Sequence, residues 1–187
     1  MVILETERLL LRMFRESDLD AWAEICAQAM VMRYISCGRT LSREEAWRDM
    51  ALMLGHWQLR GYGLWAVEER PSGTLLGRIG CWRPEGWPGL EVGWMLGHQH
   101  WGHGYATEGA RAALKYAFTV LKVPHVISLI YPENTPSVRL AHRLGEQLEG
   151  TMEISSIPGV QLSVYGIHRE AWGRDEPELR WPEQSFK

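Results

Sequence analysis

The chain has 187 residues, which suits one domain with a sizeable core, since domains commonly run to roughly 100–200 residues. Its 45% hydrophobic and 23% charged residues are typical of a globular protein and exclude wholesale disorder. A net charge of −3 argues against nucleic-acid binding, and no apolar stretch approaches the ~20 residues that span a bilayer. The N-terminus carries Glu5 and Glu7, unlike a signal peptide, so we expect a cytoplasmic protein.

Apolar residues that recur every three or four positions predict helices over residues 17–30, 42–61, 104–121 and 135–144. Ser17 is the expected cap of the first helix, and Ser42 with Glu45 forms a capping box for the second. The residues expected on the buried faces of the first two helices are Leu19, Trp22, Ala23, Cys26, Ala29, Met30, Ala46, Trp47, Met50, Leu54 and Trp57.

Short apolar or alternating segments predict strands over residues 9–13, 63–69, 74–82, 90–96, 125–131, 147–155 and 160–167. Turns are expected at residues 70–73 and 158–159, where Pro and Gly occur together. The order predicts an α/β domain whose mixed sheet begins with antiparallel hairpins and continues through a strand–helix–strand crossover. We expect residues 1–172 to form this single domain and residues 173–187 to form a peripheral tail.

A glycine-containing segment, Gln99-His-Trp-Gly-His-Gly-Tyr-Ala-Thr-Glu108, joins a predicted strand to the longest well-patterned helix. Gly102 and Gly104 allow a ligand to approach the backbone, and the N–H groups at the helix start favour an anion such as a pyrophosphate. A tight strand-to-helix turn would need the same glycines for steric reasons alone. The dinucleotide fingerprint is excluded because Thr107 replaces its third glycine, and the phosphate-loop ending Gly-Lys-Ser/Thr is missing.

This segment, Gln99-x-x-Gly102-x-Gly104 followed by Tyr-Ala-Thr-Glu, resembles the acyl-CoA signature of the GNAT superfamily of N-acetyltransferases. Within it, the chain is most similar to the RimJ/RimL branch of ribosomal-protein N-terminal acetyltransferases. Four further segments carry the resemblance over residues 4–172: Thr6-x-Arg8-Leu-x-Leu-Arg12 with Asp18, Glu91-Val-Gly-Trp-Met-Leu96, Glu133-Asn134-x-x-Ser137-x-Arg139-Leu and Tyr165-Gly-Ile-x-Arg-Glu-Ala-Trp172. The resemblance implies a GNAT fold, with a mixed, mostly antiparallel central sheet flanked by helices and a splayed parallel strand pair that binds acyl-CoA.

The resemblance also implies how acetyl-CoA binds as co-substrate. The backbone of Met95 and Leu96 would hold the pantetheine arm, in a strand where Gly93 makes a bulge plausible. Asn134 would hydrogen-bond the same arm, although it could also serve as a helix cap. The residues expected around the pyrophosphate are Gln99, Trp101, Gly102, His103, Gly104, Tyr105, Ala106 and Thr107.

No metal is expected, because the loop histidines His98, His100 and His103 have no acidic or cysteine ligand near them in sequence. The three cysteines are widely spaced and indicate neither a disulfide framework nor a zinc cluster.

The chemistry requires a neutral amine, whereas amines are mostly protonated at pH 7, so a base is needed. Glu91 is the candidate base; a solvated edge carboxylate or a salt-bridge partner is the alternative interpretation. Many relatives place a Tyr acid seven residues after the asparagine, where this chain has Ala141. Ser137 then becomes the candidate that assists the leaving thiolate, with Tyr165 or water as alternatives.

The expected function is transfer of the acetyl group of acetyl-CoA to a primary amine by direct attack in a ternary complex. The acceptor is a protein N-terminal α-amine or a small-molecule amine, in a pocket lined by the first two helices, the loop 32–39 and the last hairpin. Another acyl-CoA, such as succinyl-CoA, or a catalytically silent CoA-binding sensor or scaffold are the alternatives. The protein is expected to be a monomer or a homodimer.

Most of the ten tryptophans are expected in the core, while Trp101 would anchor the glycine loop and Trp87 would lie near the acceptor or an interface.

Overall fold

The computed structural model describes residues 2–35, 38–155 and 157–172, so the expected tail at 173–187 lies outside the described residues, as does Cys37. The helices are α1 (Leu19–Cys26), α2 (Ala29–Met32), α3 (Arg43–Arg60), α4 (Tyr105–Thr119) and α5 (Thr135–Arg143). The strands are β1 (Leu4–Glu5), β2 (Leu9–Arg12), β3 (Leu64–Glu69), β4 (Leu75–Trp82), β5 (Glu91–Leu96), β6 (His125–Ile130), β7 (Gln147–Ile154) and β8 (Ile157–His168). Within this part of the chain, no helix is both long and apolar enough to cross a membrane.

The eight strands form one sheet in the order β1-β2-β3-β4-β5-β6-β8-β7. Neighbouring strands are antiparallel except β5 and β6, which are parallel and joined by α4, so the predicted mixed, mostly antiparallel sheet is confirmed. Glu91 of β5 lies opposite Ile127 of β6, and the Ile127 N–H donates to the Leu90 carbonyl at 2.9 Å. The register of the parallel pair stops at this single position, so β5 and β6 part toward their carboxyl ends.

Strand β3 shows how both faces of the sheet are covered. Trp65 and Val67 belong to the core under α4, while Leu64 and Ala66 belong to the core under α1 and α3, as the two-residue period of a strand requires. Helix α4 packs close to the sheet at Gly109, where a Cβ would lie 2.6 Å from the Cδ1 of Ile79. The sheet is therefore the middle layer of three.

The single helix predicted over residues 17–30 is wrong. Gln28 is extended (φ −80°, ψ 107°) and separates α1 from α2, and its side-chain carbonyl accepts the His98 N–H at 2.9 Å. Met30, expected in the core, is 56% exposed, and Ala29 is also exposed. Ser17 lies inside a short 3₁₀ turn rather than capping α1, and Asp18 instead accepts the Arg15 N–H at 2.7 Å.

Helix α3 begins at the predicted capping box. Ser42 Oγ accepts the Glu45 N–H at 3.3 Å, and the Glu45 carboxylate accepts the Ser42 N–H at 2.9 Å. Its buried face is Ala46, Met50, Met53 and Trp57. The predicted burial of Trp47 and Leu54 is wrong, since they are 51% and 37% exposed. The buried residues of α3 recur at intervals of four, three and four positions, and Trp47 and Leu54 lie beside this stripe on the helix surface. The predicted stripe is rotated slightly about the helix axis, so it wrongly includes these two neighbours.

Two further local predictions are wrong. Ile154 pairs with Ile157, so the last hairpin reverses between them, and Pro158 and Gly159 lie on β8. The register of β5 with β4 runs unbroken past Gly93, which faces Gly80, so β5 carries no bulge against β4. Because two glycines face each other there, the strands pair without side-chain crowding.

Candidate active site

The glycine segment opens onto a cavity of about 640 Å³ between the splayed strands and the start of α4. Gly102 and Gly104 have left-handed backbones (φ +79° and +83°), and Gly104 is the residue immediately before the helix. A glycine has no side chain to cap the first-turn N–H groups, so these groups and the positive end of the helix dipole remain available to an anion. The cavity therefore presents backbone donors where a phosphate could bind.

Side-chain hydrogen bonds of Trp101 and Glu108 fix the glycine segment to the sheet. Trp101 Nε1 donates to the Leu96 carbonyl at 2.8 Å, as expected for an anchor. On the other side, Glu108 accepts Thr6 Oγ1 at 2.6 Å and Arg8 Nε at 2.7 Å. Arg8 Nη1 also donates to the His103 carbonyl at 2.9 Å, so the motif Thr6-x-Arg8 fixes the loop to the sheet.

Nine predicted cofactor residues line this one cavity: Met95, Leu96, Trp101, Gly102, Gly104, Tyr105, Ala106, Thr107 and Asn134. Gln99 and His103 lie outside the lining, where Gln99 accepts Gln28 Nε2 at 3.2 Å and the His103 ring stacks on Tyr105. Sequence reasoning missed two cations in the wall, Arg33 and Arg143, because neither belongs to a motif.

His100 also lines this cavity. Its Nε2 is buried and makes no hydrogen bond within the described residues. Burial lowers the pKa of His100, so its imidazole favours the neutral form.

A second cavity of about 370 Å³ adjoins the first along β5 and has Glu91 in its wall. Its polar side chains include Asp49, Arg78 and Glu91. The aromatic residues in its wall are Tyr34, Trp82, Trp87, Trp94 and Tyr131. Residues of α3, the loop after α2 and the β7–β8 hairpin line it, as expected for the acceptor pocket, whereas the first predicted helix, also expected there, contributes no residue to the lining.

Glu91 is not a freely solvated carboxylate: it is half-buried, and Trp87 Nε1 donates a hydrogen bond to it at 2.7 Å. Burial raises the pKa of Glu91 to about 7, while the Trp87 hydrogen bond and the charge of Arg78 oppose this shift. The carboxylate is thus poised to take or give a proton near neutral pH.

The two cavities share Tyr34, Ile35, Trp94, Asn134 and Ser137. Asn134 Oδ1 accepts the Ser137 N–H at 3.4 Å, so the helix-cap interpretation of Asn134 is confirmed. Ser137 Oγ accepts Trp94 Nε1 at 3.2 Å. Because the oxygen accepts this bond, the hydroxyl hydrogen of Ser137 can be donated to a ligand at the junction.

Sequence reasoning missed a buried pair behind the Glu91 cavity, Ser128 and Glu146. Ser128 Oγ lies 2.8 Å from the Val92 carbonyl and 3.0 Å from Glu146 Oε1. A serine has one hydrogen to donate, so Ser128 either shares it between the two oxygens or donates it to Val92 and accepts a hydrogen bond from a neutral Glu146. Burial, helped by the charge of Glu91, raises the pKa of Glu146 to about 8. The pair joins β6 to β5 just beyond their last register position, and the isolated Glu after Gly145 gave no signal of this role.

The comparisons with known proteins agree with this geometry. Residues 8–147 match the model of the acetyltransferase (GNAT) domain, and the chain belongs to that family. It is 30% identical over 168 residues to an uncharacterized N-acetyltransferase, p20, of Bacillus licheniformis, covering 88% of this chain and 94% of that protein.

Solved structures share the fold. An acetyltransferase from Agrobacterium tumefaciens is 30% identical with a TM-score of 0.79, over 90% of this chain and 95% of that one. RimL, a ribosomal L7/L12 α-N-protein acetyltransferase in complex with coenzyme A, has a TM-score of 0.75 over 91% of this chain and 99% of that one. At 18% identity, RimL shows a common fold.

Proposed function

We propose that the protein transfers the acetyl group of acetyl-CoA to the nitrogen of a primary amine by direct attack in a ternary complex. One observation carries the proposal: a cavity with helix-start donors and a cavity with a carboxylate poised near neutrality meet at Trp94, Asn134 and Ser137. A thioester bound from one side would therefore meet an amine that enters from the other.

Acetyl-CoA would occupy the larger cavity. Its pyrophosphate would accept bonds from the N–H groups of residues 101–107, and its pantetheine arm would lie along the backbone of Met95 and Leu96 where β6 has diverged. Arg33 and Arg143 add guanidinium groups for the remaining phosphate charge. Coenzyme A in the RimL complex, on the same fold, is consistent with this use of the cavity.

Glu91 would act as the general base, directly or through one water. A base is most effective when its pKa lies near the working pH, and the pKa of Glu91 is raised to about 7. As the amine nitrogen attacks the thioester carbon, the amine proton passes to Glu91 and the carbonyl becomes an oxyanion. A backbone N–H near Met95 on the splayed strand would stabilise that oxyanion.

Collapse of the oxyanion breaks the carbon–sulfur bond, and the sulfur leaves with the electron pair. Ser137 would donate a hydrogen bond to this thiolate, since its oxygen is already held by Trp94 Nε1. Tyr165 is 7% exposed and packs in the small core with Ile130 and Ala141, which makes it a weaker candidate than Ser137.

The acceptor would be a protein N-terminal α-amine or a small-molecule amine, bound between the tryptophans of the smaller cavity and Asp49. The carboxylates of Asp49 and Glu91 suit a protonated amine before it loses its proton, and the aromatic side chains suit the apolar part of the acceptor. Monomer or homodimer and a cytoplasmic location remain our expectations from the sequence.

The test is acceptor-dependent release of CoA thiol, with product identification by mass spectrometry. The purified protein is incubated with acetyl-CoA or succinyl-CoA and a panel of N-terminal peptides and small amines. We expect at least one amine to release thiol with acetyl-CoA and to gain one acetyl group. Saturable acetyl-CoA binding without acceptor-dependent thiol across the panel would favour a silent CoA-binding module and contradict the proposal.

A further inference from the structure

Three side chains that could ligate a metal meet on one face of the sheet edge formed by β6, β8 and β7. They are His125, Glu149 and His168, and their ligand atoms all lie within 4.8 Å of one another. The group lies away from the loop histidines that the sequence brought to attention, and none of its members lines either cavity described above.

Strand register places the two histidines together. His125 of β6 and His168 of β8 are direct partners in the antiparallel pair, and their ring centroids are 4.4 Å apart. Side chains at directly opposite positions share one face of a sheet. Both imidazoles therefore stand on the same surface, within reach of one ion.

Glu149 reaches the histidines only because of two departures from a regular sheet. The β7–β8 register shifts between Leu148 and Gly150, which leaves Glu149 as the extra residue of the bulge. Its carboxylate then lies above Gly166 of β8, where a Cβ would stand 2.3 Å from the carboxylate carbon. Glu149 crosses β8 over this glycine and places Oε1 2.8 Å from His125 Nε2.

An ion pair between His125 and Glu149 would not require His168 to converge on the same point. We propose that the three residues form a binding site for a divalent transition metal, with Zn²⁺ as the cation of best fit. Two imidazole nitrogens and one carboxylate oxygen are a common zinc donor set, and a fourth position remains for water. Imidazole ligands disfavour Mg²⁺ and Ca²⁺, which prefer oxygen.

Binding needs only side-chain adjustment. Zinc–ligand distances of about 2.0–2.2 Å bring the donor atoms closer than they stand here. His125 and Glu149 are 29% and 34% exposed, so both side chains have room to rotate. A bound ion would link β6, β8 and β7. The site would lie near the position where β5 and β6 are still paired, because His125 is two residues from Ile127.

The experiment uses tag-free, chelator-treated protein titrated with Zn²⁺ alone by calorimetry, and with Co²⁺ as a spectroscopic probe. We expect one Zn²⁺ per chain, visible Co²⁺ bands of a low-coordinate nitrogen and oxygen site, and a higher Tm with Zn²⁺. His125→Ala, His168→Ala and Glu149→Gln should each lower the affinity by about tenfold or more. His142→Ala, an exposed histidine on α5, is the matched control and should bind as the unaltered protein does.

Gly166→Ala tests whether Zn²⁺ binds at this three-residue site or to surface histidines in general. The substitution keeps all three ligands but obstructs the path of the Glu149 side chain. We expect it to weaken Zn²⁺ binding while circular dichroism and acetyl-CoA binding stay unchanged. Failure to bind Zn²⁺, or binding that survives both His168→Ala and Glu149→Gln, would overturn the proposal. Binding lost only on replacement of His98, His100 or His103 would overturn it as well.

Discussion

The two cavities that meet at Ser137 are built in different ways. The larger takes its proposed anion donors from the glycine segment, through backbone N–H groups and glycine conformation, and residues 30–35, the end of β5 and residues 133–143 complete its wall. The smaller is assembled from side chains of α3, residues 82–94 and the β7–β8 hairpin. A cofactor site of the first kind depends on local backbone shape, whereas a site of the second kind depends on several distant side chains.

The comparison predicts that single substitutions separate catalysis from cofactor binding. Glu91→Gln should lower kcat by about 100-fold or more, because a general base contributes roughly 10²–10⁴-fold. The Kd of CoA, measured by calorimetry, should change less than about twofold, since Glu91 does not line the larger cavity. Asp49→Asn, the other carboxylate of the smaller cavity, should change the KM of the amine more than kcat. A raised Kd of CoA in Glu91→Gln would contradict the claim that catalysis and cofactor binding depend on different cavities.

Gly104→Ala should act on the cofactor side. An alanine at φ +83° is strained, and its Cβ would lie 3.3 Å from the Arg8 guanidinium that holds the loop. A left-handed backbone costs a non-glycine residue about 1–2 kcal/mol. If the loop shifts to relieve this strain, its N–H donors are displaced, and we expect roughly tenfold weaker acetyl-CoA binding.

The matched control for Gly104→Ala is Gly73→Ala, at φ +69° in the β3–β4 turn, far along the chain from both cavities. It should lower Tm by a similar amount and leave the Kd of CoA unchanged. Equal losses of CoA affinity in the two variants would show that the effect is global.

Asn134→Asp tests the junction between the cavities. The substitution keeps an oxygen that can accept the Ser137 N–H, but it removes the amide donor proposed for the pantetheine arm. We expect about threefold to tenfold weaker CoA binding, the range of one lost hydrogen bond, with Tm within a degree or two of the unaltered protein. Asn134→Ala should lose both properties. Unchanged CoA affinity in Asn134→Asp would leave Asn134 as a cap alone.

Glu146→Gln should affect stability and its pH dependence rather than chemistry. A carboxyl whose folded pKa is raised to about 8 stabilises the fold fully below its unfolded pKa of about 4.3, and this contribution is lost as the pH rises toward 8. The loss amounts to at most about 1.4 kcal/mol per pH unit for one proton. Urea unfolding from pH 4.5 to 8.5 should show a shallower decline in Glu146→Gln than in the unaltered protein. Glu170→Gln, an exposed carboxylate, is the control and should follow the unaltered curve.

The contrast between a local segment and a set of distant side chains also explains which features could be predicted from the sequence. The apolar run of β3 and the capping box of α3 are local patterns that predicted their elements correctly, and the glycine segment is a local pattern whose residues line one cavity. The break at Gln28 could not be predicted, because it depends on a bond to His98 across the fold.

Tertiary contacts also account for the missed residues of the site. Ser128 and Glu146 are 18 positions apart and act together only because β6 and the start of β7 flank the parting of the parallel strands. Arg33 and Arg143 reach one cavity wall from opposite ends of the chain. Single-chain patterns contain no information on such long-range pairs.

The pH dependence of kcat/KM for the amine tests the central claim most directly, with the unaltered protein compared to Glu91→Gln across pH 5.5–9. Because only ionised Glu91 can accept the amine proton, the rate should rise with pH and level off above an inflection near 7. Glu91→Gln should lose this inflection and retain only the rise that belongs to the acceptor amine itself. An inflection near 7 that persists in Glu91→Gln would contradict the assignment of Glu91 as the base.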